Sequence, residues 1–176
     1  MVLIVEVQIE TPAWRKAWPR VVAETKELLR VALADSGGKR SQLPPSSKIR
    51  RTGKPGHGEL NFEATVVLAD DARLKDLNAR FRRKDKPTNV LSFPDGDNPP
   101  GGGIALSLET ISAEAEAQGK SFVNHAKHMI LHGFLHLRGY DHDRPRAARL
   151  MEGLEIAILA RMGIPNPYLI ETKTRA

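Results

Sequence analysis

Cysteine is absent from all 176 residues. That excludes disulfides, thiolate metal sites and a thiol nucleophile, so any metal chemistry must use His, Asp or Glu. Long apolar runs are missing as well. No stretch approaches the roughly 18 uninterrupted apolar residues of a membrane span. The opening Met1-Val-Leu-Ile-Val-Glu6 has neither the basic start nor the apolar length of a secretory signal. A cytoplasmic protein without membrane contact is the expectation. Acid is missing from one place: residues 36–58 hold six basic side chains (Lys39, Arg40, Lys48, Arg50, Arg51, Lys54) and no Asp or Glu. The chain carries 27 basic and 21 acidic residues for a net +6, so setting these six aside leaves 21 against 21. The excess is local. It excludes a uniformly basic nucleic-acid coat and leaves room for a basic arm. No aromatic residue lies in 36–58 either, so such an arm would touch phosphates and not stack on bases. A solubilising surface insertion reads the same stretch equally well.

What remains suits one folded domain. At 40% hydrophobic and 27% charged, the chain can bury a sizeable core. The expected organisation is a single domain over 1–170 with a basic loop insertion at 36–58 and a frayed tail at 171–176. Residues 2–9 are β-branched and read as a strand. Thr11 caps and Pro12 opens a helix with apolar residues at helical spacing, which Pro19 kinks or splits. A second strand covers 61–68. Asp70-Asp71 starts a short helix to about Phe81, with Ala72, Leu74 and Leu77 inward. A short strand over 89–93 ends at Pro94, a Gly/Pro/Asp loop fills 95–103, and a further strand covers 104–108. Residues 112–118 read as a helix broken by Gly119, and 123–137 as a strongly apolar one. Asp143-Arg144-Pro145 opens the last helix, which Gly163 ends. No repeat is visible, and strands and helices mix without strict βαβ alternation. The fold class is therefore α+β: a small mixed sheet of about four strands packed with helices, the buried central helix carrying histidines in a zincin-like arrangement.

Five of the six histidines fall between 125 and 142. His132 and His136 are four apart and stack on one helix face, with Cβ atoms about 6 Å apart. Two imidazoles so placed can grip one ion at about 2.0–2.1 Å. His128 and, nearly, His125 continue that face, but an i, i+4, i+8 trio spans about 12 Å along the axis and cannot converge on one ion. The third ligand must come from chain that turns back. Gly139 permits that turn, and His142 returns from it. His125 and His128 then read as solvated or hydrogen-bonded. Three nitrogens leave a fourth position for water, whose acidity the ion would raise toward neutrality to give a hydroxide nucleophile. One zinc per chain is the expected cofactor, though nickel or another late divalent metal suits three imidazoles too. The bland alternative is a set of ordinary core histidines. Against it, a buried imidazole without a partner costs free energy.

The run nearly matches the metzincin peptidase signature H-E-x-x-H-x-x-G-x-x-H, but Gly133 stands where the peptidases keep their general-base glutamate. The chain more closely resembles the YbeY family of bacterial endoribonucleases. Members carry a similar H-G-x-L-H-L-x-G-Y-D-H run, here His132-Gly-Phe-Leu-His-Leu-Arg-Gly-Tyr-Asp-His142. Two further blocks follow the family in order: Leu77-Asn-Ala-Arg-Phe-Arg-Arg-Lys-Asp-Lys-Pro-Thr-Asn-Val-Leu-Ser-Phe-Pro94 and Ile104-Ala-Leu-Ser-Leu-Glu-Thr110. Together they cover roughly residues 59–170. The resemblance implies a single-strand-specific, metal-dependent endoribonuclease acting in 16S rRNA 3′-end maturation and ribosome quality control. Its partners would be small-subunit rRNA precursor and the ribosome or small-subunit assembly proteins. It maps the metal ligands onto His132, His136 and His142 and the functional arginine onto Arg82. Two departures stand out: Gly103 replaces a usual aspartate, and Arg83 stands where glycine is common.

Arg82 has its own physical rationale. Phosphodiester cleavage accumulates charge on nonbridging oxygens, and a guanidinium grips them bidentately at any working pH. Arg83, Lys84 and Lys86 are candidate RNA-backbone contacts, or simply part of a solvated helix end. The competing readings are a zinc hydrolase of peptidase type and a non-catalytic ribosome-assembly factor with a structural metal.

Overall fold

A computed structural model describes residues 2–36, 61–97 and 100–169. The basic stretch 37–58 and the tail 171–176 lie outside the described residues. Strand β1 (Leu3–Ile9) is followed by helices α1 (Ala13–Ala17) and α2 (Val21–Ser36). The proline at 19 splits this helical region in two, as the sequence suggests, with Trp18 in an extended conformation at the break. Both tryptophans are anchored: Trp14 Nε1 donates to the Ala69 carbonyl at 2.8 Å, and Trp18 Nε1 to Glu24 at 3.0 Å.

Strand β2 (Phe62–Ala69) leads into α3 (Asp71–Arg82). Asp70 caps α3 by accepting from the Arg73 amide at 2.9 Å. The inner face differs from expectation at one residue. Ala72 is exposed, and Asn78 is buried below Leu74, four residues on and one turn along the same face. Burial of that amide is compensated by its hydrogen bond to the Lys86 carbonyl at 2.8 Å, which pins the chain after α3 against the helix.

The sharper correction concerns 89–108. The third strand does not end at Pro94: β3 runs Val90–Asp97, and β4 spans Pro100–Ser107, so most of the expected loop is a β-hairpin. Proline is tolerated because β3 is the sheet edge, where a missing N–H removes no ladder bond. The glycines are demanded by crowding. A Cβ at Gly101 would lie 2.0 Å from the Glu63 carbonyl oxygen, and one at Gly102 2.2 Å from that of Phe93. Leu108 is not strand but the first residue of α4 (Leu108–Ala117), which starts four residues before the expected 112 because the Ser107 side chain caps it.

Helix α5 (Phe122–Leu137) and α6 (Pro145–Arg161) complete the chain, with Gly163 left-handed after α6. The sheet order is β1-β2-β4-β3, parallel except for the antiparallel β3–β4 pair, giving the mixed four-stranded sheet expected. Alternation divides its side chains between two faces. Phe62, Val66, Ile104 and Leu106 pack with α2, α5 and α6 in the main core. Ala69, Leu91 and Ala105 meet Leu74 of α3 in a smaller cluster on the other face. Helices α5 and α3 therefore cover opposite faces. Among the described residues, no helix is long and apolar enough to cross a membrane.

Candidate metal centre

Helix α5 is buried nearly all round, capped at its start by Ser121. At its end the Gly139 amide donates to the His136 carbonyl at 2.9 Å and the Tyr140 amide to the Leu135 carbonyl at 3.0 Å. Gly139 adopts φ 86°, the left-handed geometry that terminates helices. Tyr140 is 3% exposed and anchors the turn, so the chain comes back toward α5. His142 arrives with its ring 5.4 Å from that of His132 and 5.1 Å from that of His136. A nitrogen from each of the three histidines lies within 4.8 Å of the others.

Two of the three rings are held by their far nitrogens. His136 Nδ1 donates to the Tyr140 carbonyl at 3.0 Å, and His132 Nδ1 to Glu155 Oε1 at 2.8 Å. That fixes the tautomers and leaves both Nε2 atoms with lone pairs. The two Nε2 atoms face each other at 3.1 Å. Nitrogens bound tetrahedrally to one zinc lie about 3.3 Å apart, given Zn–N distances of about 2.0–2.1 Å. The donor set and its spacing fit a late divalent ion. Burial, helped by the neighbouring His132 and His142, lowers the His136 pKa to about 4, so the ring is neutral near pH 7, the form that ligates. A second group, Asp141, His142 and Asp143, satisfies the same spacing but lies toward solvent.

Sequence reasoning missed Glu155. Its carboxylate is fully buried on α6 and accepts from three groups: His132 Nδ1, His128 Nε2 at 2.9 Å, and the Tyr168 hydroxyl. Burial alone would raise its pKa, yet the hydrogen bonds from His128, His132 and Tyr168 outweigh it and hold the group down to about 2. A signal was present in the sequence. Glu155 interrupts the apolar positions Met151, Leu154, Ile158 and Leu159 of an amphipathic helix, where a carboxylate needs a partner. His128 and His125 are hydrogen-bonded, as one of the two expectations had it, and not solvated. They are 7% and 4% exposed, and His125 Nε2 pairs with Glu114 at 2.8 Å.

Gly133, where the peptidases keep glutamate, faces the sheet. A Cβ there would lie 2.7 Å from Ile104 Cγ2 and 3.0 Å from Ser92 Oγ, so a side chain would have to push the side chains of β3 and β4 aside. Gly103 is different: a Cβ there meets only Phe93, at 3.9 Å, so packing does not forbid the aspartate of the family.

Arg82, Arg83, Lys84 and Lys86 are all exposed at the C-terminal end of α3. Arg82 lies on the other face of the sheet from the histidines but at the same end. Its neighbour Phe81 touches Phe93, Phe93 pairs with Gly103, and the Leu137 side chain at the end of α5 lies against Gly102. The structure does not bring Arg82 into contact with the histidines.

The model of the family described as endoribonuclease YbeY matches residues 48–163, a span that includes all three histidines, Arg82 and Glu155. Among curated proteins of that description, the one from Paracoccus denitrificans is 42% identical over 161 residues, covering 83% of this chain and 92% of its own. That from Methylocella silvestris is 38% identical over 170 residues, covering 94% and 85%. That from Chelativorans sp. reaches 52% over 118 residues, covering 63% and 72%. The solution structure of TM1509 from Thermotoga maritima superposes with a TM-score of 0.57 at 20% identity, covering 98% of this chain and 100% of that one, which shows a shared fold. The family match and these relatives together make the chain a member of the YbeY endoribonuclease family.

Proposed function

We propose that this protein is a metal-dependent endoribonuclease acting on single-stranded RNA. His132, His136 and His142 hold one zinc ion per chain, or nickel or another late divalent metal, and Arg82 grips the scissile phosphate. The observation that carries the reading is the pair of facing Nε2 lone pairs, each backed by an anchored Nδ1, with His142 folded onto them. These three histidines would hold the ion, and the chemistry it would supply when bound is Lewis acidity toward a phosphoryl oxygen or water. Glu155 orients His132 by accepting from its Nδ1. With its carboxylate fully buried and both oxygens engaged, it is not the general base for an incoming nucleophile. Arg82 is an exposed cation whose side chain has no ion-pair partner among the described residues, free to meet a phosphate.

The substrate proposed is small-subunit rRNA precursor, processed near its 3′ end, with ribosome or assembly proteins as partners and the cytoplasm as the setting. The peptidase reading lacks its base, and the packing around Gly133 leaves no space for one. The test is direct. Purified protein is assayed for bound metal and incubated with rRNA precursor and, separately, with casein, beside His136→Ala and Arg82→Glu. The native protein should cleave RNA and spare casein. Both variants should lose cleavage, and only the histidine variant should lose metal. Undiminished RNA cleavage by metal-free His136→Ala would sink the assignment. Cleavage of casein alone would restore the peptidase, and bound metal without any cleavage would favour an assembly factor.

A further inference from the structure

Most aromatic side chains of this chain are interior: Trp14, Trp18, Phe62 and Phe134 are at most 2% exposed. Phe81 is 65% exposed, on the last turn of α3 and directly before Arg82. Its exposure leaves a ring face open to a stacking partner. We propose that Phe81 is a base-stacking platform for single-stranded RNA, with Arg83, Lys84 and Lys86 gripping the phosphates beside the stacked base. The proposal deepens the ribonuclease reading and rests on it.

Four observations converge. The ring is held in place, since it meets Phe93 of β3 edge-on at 5.0 Å between centroids and 65° between planes. Phe93 in turn packs into the smaller core cluster. A ring already fixed loses little freedom when a base stacks on it. Second, the side chains of Arg83, Lys84 and Lys86 are exposed without ion pairs among the described residues, while the nearby acids are engaged: Asp76 with Arg80 and Arg73, Asp85 with Lys75. Third, Arg83 is the only non-glycine residue with positive φ among the described residues, at φ 56° and ψ 33°. Glycine takes that conformation freely and arginine takes it at a cost, so a cation is kept where the backbone would prefer none. Its strained turn is fixed by the Arg83 amide on the Ala79 carbonyl at 3.1 Å and the Lys84 amide on the Asn78 carbonyl at 3.2 Å. Fourth, Phe81 is at the histidine end of the sheet. A strand of RNA passing over the β3 edge meets the platform before it reaches the metal centre.

A phenyl face flanked by cations is the chemistry of single-strand recognition. Every base offers a π face, and the phosphates on either side offer charge. Bases in a duplex have their faces covered by stacked neighbours, so the platform discriminates against double strands. The basic stretch 37–58 contains no aromatic residue and offers no stacking face of this kind.

The test uses the metal-loaded full chain and a short 2′-O-methyl RNA of mixed sequence, single-stranded or annealed to its complement. Phe81→Leu keeps an apolar contact with Phe93 but removes the π face. It should bind the single strand roughly tenfold more weakly, a loss within the range for one base–aromatic stack, with the salt dependence of binding unchanged. Lys84→Gln should instead flatten the log–log salt slope by about 0.7, the value for one single-strand phosphate contact. Phe81→Trp should retain affinity, and its new emission should be quenched by single-stranded RNA and not by duplex. Native affinity in Phe81→Leu, alongside normal binding by the parent, would overturn the platform alone. A parent that binds no single-stranded RNA would overturn both the platform and the ribonuclease reading.

Discussion

The two ends of function in this molecule are built in opposite ways. At the histidine end of α5, two of the three candidate ligand rings and the carboxylate behind them are anchored. Glu155 holds His132, the Tyr140 carbonyl holds His136, and buried His128 and Tyr168 hold Glu155. At the end of α3, the side chains of Phe81, Arg82, Arg83, Lys84 and Lys86 project into water, with only Phe81 propped from behind. The contrast suits what each region is proposed to bind. A small ion needs ligands fixed to a few tenths of an ångström, which only buried second partners provide. A polyanion needs cations that carboxylates have not already neutralised, and long side chains that can follow a backbone. Damage at the first region should therefore appear in stability and metal affinity, and damage at the second in RNA binding and rate.

The largest effect is expected at Glu155. Glu155→Ala strips the partner from His128, His132 and Tyr168 and should lower stability by about 3–5 kcal/mol, the usual cost of breaking a buried charged network, read by urea unfolding. Glu155→Gln keeps the shape and should instead weaken zinc by about 10- to 100-fold, measured by chelator competition. If both variants keep native stability and affinity, the anchored region is no more than a chance arrangement. Next is Arg82→Gln, which should slow RNA cleavage by about 10²–10³-fold with metal content unchanged. A parallel loss of metal would erase the distinction between the regions.

Acid should separate them further. Folded His136 titrates near pH 4 against 6.5 when unfolded, and folded Glu155 near 2 against 4.5. In both cases the unfolded chain binds more protons, so stability falls as pH drops. The metal-free protein should weaken from about pH 6.5 toward 4 through His136, and again from about 4.5 toward 2 through Glu155. Thermal unfolding across this range checks the sign. A flat profile would contradict the burial that lowers His136 and the hydrogen bonds that lower Glu155. The smallest effect is at Arg83. Arg83→Gly relieves the left-handed strain and should stabilise the fold by roughly 1 kcal/mol, while weakening single-stranded RNA binding a few-fold. A variant that gains stability with no loss of affinity would leave the strain without a purpose.

Much of the site was legible before any coordinates. Imidazoles four apart share a helix face by geometry alone, and Gly139 marks a turn that can return a third one. Glu155 escaped because it is distant in sequence and its partner sets depend on how α6 packs on α5. The strand through Pro94 and the glycines at 101–103 escaped for a related reason. Locally, proline and glycine signal a loop, and only the neighbouring backbones, at about 2 Å from a Cβ added at Gly101 or Gly102, show that nothing larger fits there between the strands.

The sequence by itself determined which side chains could hold a metal ion. With no cysteine, a histidine triplet broken by one glycine leaves few other donors, and that follows from composition and helical period. It also determined the local nature of the basic excess and the break at Pro19. Tertiary structure decided what surrounds the ligands: the buried carboxylate behind His132, the packing that denies Gly133 a side chain, and the placement of Arg82 and Phe81 at the histidine end but on the opposite face of the sheet. These depend on contacts between segments far apart in the chain, and no local period or propensity encodes which buried polar atoms will meet.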